Sequence, residues 1–142
     1  MPKQIPNIKV ADNKKHIHCL IRKKWIILTP EEKVRQFILH KIIDQFSYPL
    51  KYISVEKTIK VNALRKRYDI VVYNQELQPK LLIECKAEYV EIKEKTLQQI
   101  ATYNIQLQVP YLMVSNGKDS FFFQIIEEKA YRLDTLPDYH QL

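Results

Sequence analysis

Two carboxylates and one ammonium sit where such groups are costly. Leu81-Leu82-Ile83-Glu84-Cys85-Lys86-Ala87 is a short, almost wholly apolar run, the pattern of a strand covered on both faces. Period-two geometry puts Glu84 and Lys86 on one face and Cys85 on the other. Upstream, Tyr68-Asp69-Ile70-Val71-Val72-Tyr73 is a second apolar run with a single acid. Burying such charges costs several kcal/mol per ion, by rough estimate, unless they are paired or bind a metal. As an ion pair at a solvated strand end, Glu84 and Lys86 do no chemistry. As paired carboxylates, Asp69 and Glu84 suit a hard divalent cation such as Mg²⁺.

The spacing brings the two acids together. The polar link from Asn74 to Pro79 is too short for a crossover, so the flanking strands should be antiparallel neighbours. Asp69 lies five residues before Asn74, and Glu84 five after Pro79, so both fall at one level of the pair. Two carboxylates side by side raise each other's pKa. Lys86 offsets part of that repulsion, and a divalent ion would offset more.

The surrounding elements must hold that level in place. Thr29-Pro30-Glu31-Glu32 is a helix start, with Thr29 as cap, Pro30 at the first helical position and Glu32 three residues after the cap. Val34, Phe37, Ile38, Ile42 and Phe46 continue at helical spacing until Ser47-Tyr48-Pro49. A strand is expected between Tyr52 and Asn62, a basic turn at Leu64-Arg65-Lys66-Arg67, then the two acid-bearing strands. A second helix is expected over 91–107, with Leu97, Ile100, Ala101, Asn104 and Leu107 on one face. Strands at 109–115 and 121–126 flank the Asn116-Gly117 turn. The tail from Asp134 reads as peripheral. The order predicts an α/β domain with a mixed sheet between helices.

Composition narrows the function. The chain has 142 residues, 46% of them apolar, which is enough for one domain with a core. A single glycine leaves no Gly-x-Gly-x-x-Gly and no Walker sequence, so nucleotide triphosphate hydrolysis is not expected. Cys19 and Cys85 fit no zinc spacing, and with no apolar leader or membrane-length run the expected location is the cytoplasm. Net charge is +7, unevenly spread. Residues 1–28 hold Lys3, Lys9, Lys14, Lys15, Arg22, Lys23 and Lys24 against Asp12 alone, a surplus of six. Residues 1–24 therefore read as an irregular basic leader, ahead of a single domain over 25–142. Such a leader suits a polyanion or merely solubilises the chain.

Read together, several segments resemble a known family. An acid on one strand followed by Glu-x-Lys on the next, between two helices, resembles the PD-(D/E)xK nuclease superfamily; here the pattern is Asp69 … Glu84-Cys85-Lys86. The flanking segments Thr29-Pro30-Glu31-Glu32-Lys33-Val34-Arg35-Gln36, Lys66-Arg67-Tyr68-Asp69, Gln99-Ile100-Ala101-Thr102-Tyr103-Asn104 and Ser115-Asn116-Gly117 resemble the N-terminal domain of type I restriction-enzyme R subunits. The likeness runs from about Trp25 to Glu127. These 142 residues hold no helicase motor, and Tyr68 stands where the superfamily's proline would precede Asp69.

The resemblance implies a restriction-endonuclease-like fold with an α-β-β-β-α-β core, and Mg²⁺-dependent hydrolysis of DNA phosphodiesters, with Mn²⁺ as a substitute. Asp69 and Glu84 would hold the ion with the Cys85 carbonyl, and Lys86 would orient water or stabilise developing charge. Glu32 would complete the metal site; the pattern alone favours a capping box. Gln99 would contact phosphate or water, or be a surface glutamine. Arg67, Arg65, Lys66 and Arg35 are candidate phosphate contacts; Arg67 also suits pairing with Asp69, and Arg35 solvating its helix. DNA is the implied partner, with RNA left open, together with restriction-system subunits or a second copy of the chain, which double-strand cutting would favour. The competing readings are a non-catalytic nucleic-acid-binding module and an accessory subunit of a larger assembly.

Overall fold

The computed structural model describes residues 5–142; Met1 to Gln4, including Lys3 of the basic leader, lie outside the described residues. Helix α1 spans Pro30–Phe46 and starts as its residues dictate: Thr29 Oγ1 accepts the Glu32 N–H at 3.1 Å, and Pro30 fills the first position. It ends at Ser47, whose φ of 59° turns the chain before Pro49.

Six strands and a second helix follow. A 3-10 turn leads into β-strand Ile53–Val61, then Leu64–Tyr73 and Pro79–Cys85, helix α2 at Glu94–Leu107, and strands Tyr111–Ser115, Ser120–Ile126 and Lys129–Leu133. Three strands also precede α1, at Ile8–Ala11, Lys14–Cys19 and Lys24–Ile27. In chain order these are β1 to β9. The six strands β4 to β9 form one sheet in sequential order, antiparallel except where α2 carries the chain from β6 to a parallel β7. The result is a mixed sheet with a helix on each face.

Two apolar layers hold it. Toward α1, Ile70, Val72, Leu81, Ile83, Cys85 and Met113 pack against Val34, Ile38, Leu39 and Ile42. Toward α2, Val71, Leu82, Leu112 and Val114 pack against Leu97, Ile100, Ala101 and Leu107. Central strands covered on both faces need apolar residues at every position, hence the continuous runs.

The structure departs from the sequence expectations in four places. The tail from Asp134, expected as peripheral, buries Leu136 in the layer toward α1, and its Pro137 carbonyl accepts from the Tyr48 hydroxyl at 2.7 Å. Residues 8–27, of which those up to 24 were expected as an irregular leader, form the antiparallel sheet β1-β2-β3, with Ile17 and Cys19 fully buried on its inner face. Leu64 to Arg67, expected as a turn, open β5; the turn falls at Asn62 (φ 55°) and Ala63. Strand β9, which was not expected, follows β8 through Glu127 and Glu128, both in the left-handed region (φ 47° and 65°). That two-residue hairpin normally calls for Asn or Gly, so two glutamates gave no turn signal.

Candidate functional site

Strands β5 and β6 pair Ile70 with Ile83 and Val71 with Leu82, so the next opposed positions are Asp69 and Glu84, at the level expected from spacing. Beyond this level β5 leaves β6 and continues beside β4 alone, down to Leu64.

An irregularity at the same level aims the side chains. Val55 and Ile70 pack toward α1, whereas Ile59 and Tyr68 pack toward α2. Within each strand those residues have the same parity and should share a face. The β4–β5 ribbon therefore rolls over between them. Glu56, at the rollover, has a φ of 53°, which is strained for a residue with a side chain. Asp69 is Glu56's neighbour across the ribbon, between the paired positions Val55↔Ile70 and Lys57↔Tyr68.

Asp69 consequently reaches α1. Its Oδ1 accepts from Arg35 Nη2 at 2.9 Å, and its Oδ2 accepts from the Cys85 backbone N–H at 2.7 Å. Arg35 Nη1 also donates to both Glu32 oxygens, at 3.2 and 3.1 Å, and lies 3.4 Å from Glu56 Oε1. Arg22, from the connection between β2 and β3, pairs with Glu32 Oε1 and reaches Glu56 Oε2 at 3.3 Å; Arg67 Nη2 reaches that same oxygen at 3.1 Å. Glu32 is 4% exposed, so its charge depends on these guanidiniums. Burial pulls the Arg35 pKa down, but the Asp69 hydrogen bond and the nearby Glu32 charge more than offset it, and Arg35 stays protonated.

Glu84 faces different partners. Its Oε2 lies 3.3 Å from Lys66 Nζ and its Oε1 3.6 Å from Lys86 Nζ. Lys66 in turn lies over the rings of Tyr68 and Tyr103, at 5.0 and 5.5 Å. Tyr68 is buried and donates to Asn104 Oδ1 on α2 at 2.5 Å, which fixes the ring under Lys66. Burial pushes the Tyr68 hydroxyl well above its usual range, with the Glu84 charge adding to the effect. Burial likewise pushes the Cys85 thiol far up, so it is an inert filler.

Two ion-pair groups thus lie where β5 and β6 part: Glu32, Glu56 and Asp69 with Arg22, Arg35 and Arg67, and Glu84 with Lys66 and Lys86. Gln99 and Arg65 lie on exposed positions of α2 and β5. Tyr103 donates to the Arg65 carbonyl at 3.1 Å. Arg22 and Glu56 had no signal in the sequence. Arg22 came from a segment with no visible period, and Glu56 was one of several charges interleaved in its strand.

The donor set suits a hard divalent cation in kind, since every group is a carboxylate or carbonyl oxygen. The arrangement is committed elsewhere. Among the described residues, no three His, Cys, Asp or Glu side chains are grouped to hold a metal ion. For an ion to share Asp69 and Glu84, Arg35 would have to release the first, or Lys66 and Lys86 the second.

Among the described residues, no helix is long and apolar enough to cross a membrane. Comparison with curated proteins returns no match. The family described as "Type I restriction enzyme R protein N terminus (HSDR_N)" matches residues 30–137, from the first residue of α1 past the end of β9. That stretch spans both helices, all six strands of the main sheet and every acid of the site, so this chain belongs to the type I restriction enzyme R protein N-terminal family.

Proposed function

We propose that this protein is a metal-dependent nuclease that hydrolyses DNA phosphodiester bonds as a component of a restriction system. One observation supports it most: Asp69 and Glu84 occupy opposed positions on antiparallel strands, with Lys86 3.6 Å from Glu84, inside a restriction-enzyme family domain. In this reading Asp69, Glu84, Glu32 and the Cys85 carbonyl would hold Mg²⁺, or Mn²⁺ in its place. When bound, the ion would lower the pKa of its water and draw charge from the scissile phosphate.

The chain's own residues supply the rest. Lys86 offers a compact ammonium that can donate to the attacking water or to a phosphate oxygen as charge builds there. Arg35 and Arg22 hold the acids against α1 until the phosphate arrives. Arg67, 62% exposed in its side chain, borders the site through Glu56, and Arg65, exposed two residues earlier on β5, would meet the phosphate backbone beyond it. Gln99, exposed on α2, would reach phosphate or water from the other side.

A second reading has its own support. The pairing of Asp69, Glu32 and Glu84 with arginines and lysines also suits a non-catalytic DNA-binding or accessory subunit. Incubation of plasmid with the purified protein and Mg²⁺ separates the two. The nuclease reading expects cleavage that chelator and Lys86→Ala each abolish. Salt-dependent binding without cleavage, indifferent to chelator, would leave the second reading standing.

A further inference from the structure

The sheet β1-β2-β3 lies outside the family match, which begins at residue 30, and it presents an outer face of unusual make-up. Register fixes which residues share that face. Lys9 opposes His16, His16 opposes Ile27, and His18 opposes Trp25. The alternate residues, Ile17 and Cys19, are buried on the inner face. Lys9, Lys14, His16, His18 and Trp25 therefore line the outer one.

Trp25 is the only tryptophan of the chain and is 37% exposed. Lys9 Nζ lies 4.4 Å from its ring centroid, and His18 meets it edge-on at 5.3 Å between centroids. Between Ile8 and Ile27 the sequence has Lys9, Lys14, Lys15, Arg22, Lys23 and Lys24 against Asp12 alone. A ring with the Lys9 ammonium over it, and Lys14 on the same face, is complementary to a strand that carries both bases and phosphates. A duplex hides the faces of its bases; a single strand offers them.

We propose that the outer face of β1-β2-β3 binds single-stranded DNA, with a base stacked on Trp25 and the flanking phosphates on Lys9 and Lys14. Lys9 then exchanges the ring for a phosphate, and the base takes the ring face that Lys9 vacates. The connection between β2 and β3 supplies Arg22 to Glu32, which ties this sheet to the first turn of α1. The choice of DNA over RNA rests on the nuclease reading above; the binding face does not.

The test uses the full chain in EDTA, where cleavage cannot occur, so failure of this site and failure of the nuclease reading are read separately. Excited at 295 nm, Trp25 emission is expected to fall saturably as oligo(dT) is added. By anisotropy of a labelled oligo(dT), Trp25→Ala should bind about tenfold more weakly or worse, and Trp25→Phe within about threefold of wild type. The double variant Lys9→Ala/Lys14→Ala should flatten the slope of log binding constant against log salt by about 1.4. Absence of quenching, unchanged binding by both Trp25→Ala and the lysine variant, or equal affinity for duplex would overturn the proposal. Tighter binding of oligo(U) than of oligo(dT) by tenfold would overturn its assignment to DNA.

Discussion

Arg35 Nη2 lies 2.9 Å from Asp69 Oδ1, joining the first helix to the fifth strand. The bond exists because the β4–β5 ribbon rolls over at Glu56, which turns Asp69 toward α1. The same guanidinium holds both oxygens of Glu32, so one side chain neutralises two acids. Removing it leaves the nearly buried Glu32 with only Arg22 as its counter-ion.

Arg35→Ala should therefore lower folding stability by about 3 kcal/mol, the scale for breaking a buried pair. Arg35→Lys should recover only part, since one ammonium cannot span Asp69 and Glu32 as the planar fork does. Urea unfolding of the three proteins measures this. A loss below about 0.5 kcal/mol in Arg35→Ala would mean that the network contributes nothing.

Thr29 and Glu32 should separate in their effects. Thr29→Ala removes the acceptor for the Glu32 N–H and should cost about 1 kcal/mol with cleavage unchanged. Glu32→Gln keeps that backbone bond, and should cut cleavage by more than tenfold. Equal loss of cleavage in both variants would reduce Glu32 to a structural residue.

Tyr68→Phe should cost about 1–2 kcal/mol, because it strands the buried Asn104 side chain without its donor. It keeps the ring under Lys66, so the Lys66–Glu84 pair should survive. Thermal or urea unfolding checks the first point. A neutral substitution would show that the hydrogen bond is not needed.

The Cys85 thiol gives a pH dependence with a definite sign. Burial, together with the Asp69 charge, holds its pKa well above the ordinary 9.0. Above pH 9 the unfolded chain loses this proton first, the native state binds more protons, and stability falls as pH rises. The slope reaches at most about 1.4 kcal/mol per pH unit. Cys19 has the opposite sign: burial raises its thiol, but hydrogen bonds from Arg22 outweigh this and lower it. The comparison is thus Cys85→Ala against wild type between pH 8 and 10.5, and the variant should show the shallower decline. Parallel curves would contradict the burial of a neutral thiol.

Legibility in the sequence followed the strength of local signals. Thr29-Pro30 marked α1, and its helical stretch ended where Pro49 required. The apolar runs at Tyr68–Tyr73 and Leu81–Ala87, and the short link between them, placed Asp69 opposite Glu84. What stayed hidden depended on long-range geometry. Period two predicts one face for Tyr68 and Ile70; the rollover at Glu56 puts them on opposite faces, and no residue type announces it. The sheet β1-β2-β3 buries only alternate residues of short, lysine-rich strands, so its pattern was lost among charges. Arg22 could not be matched with Glu32 without that sheet.

The most direct measurement is a crystal soaked with Mn²⁺ and examined for its anomalous signal. The nuclease reading predicts a peak about 2.0–2.2 Å from carboxylate oxygens of both Asp69 and Glu84, with Arg35 or Lys66 displaced from its present partner. A map with no peak there, and with the Arg35–Asp69 and Lys66–Glu84 pairs intact, would contradict it.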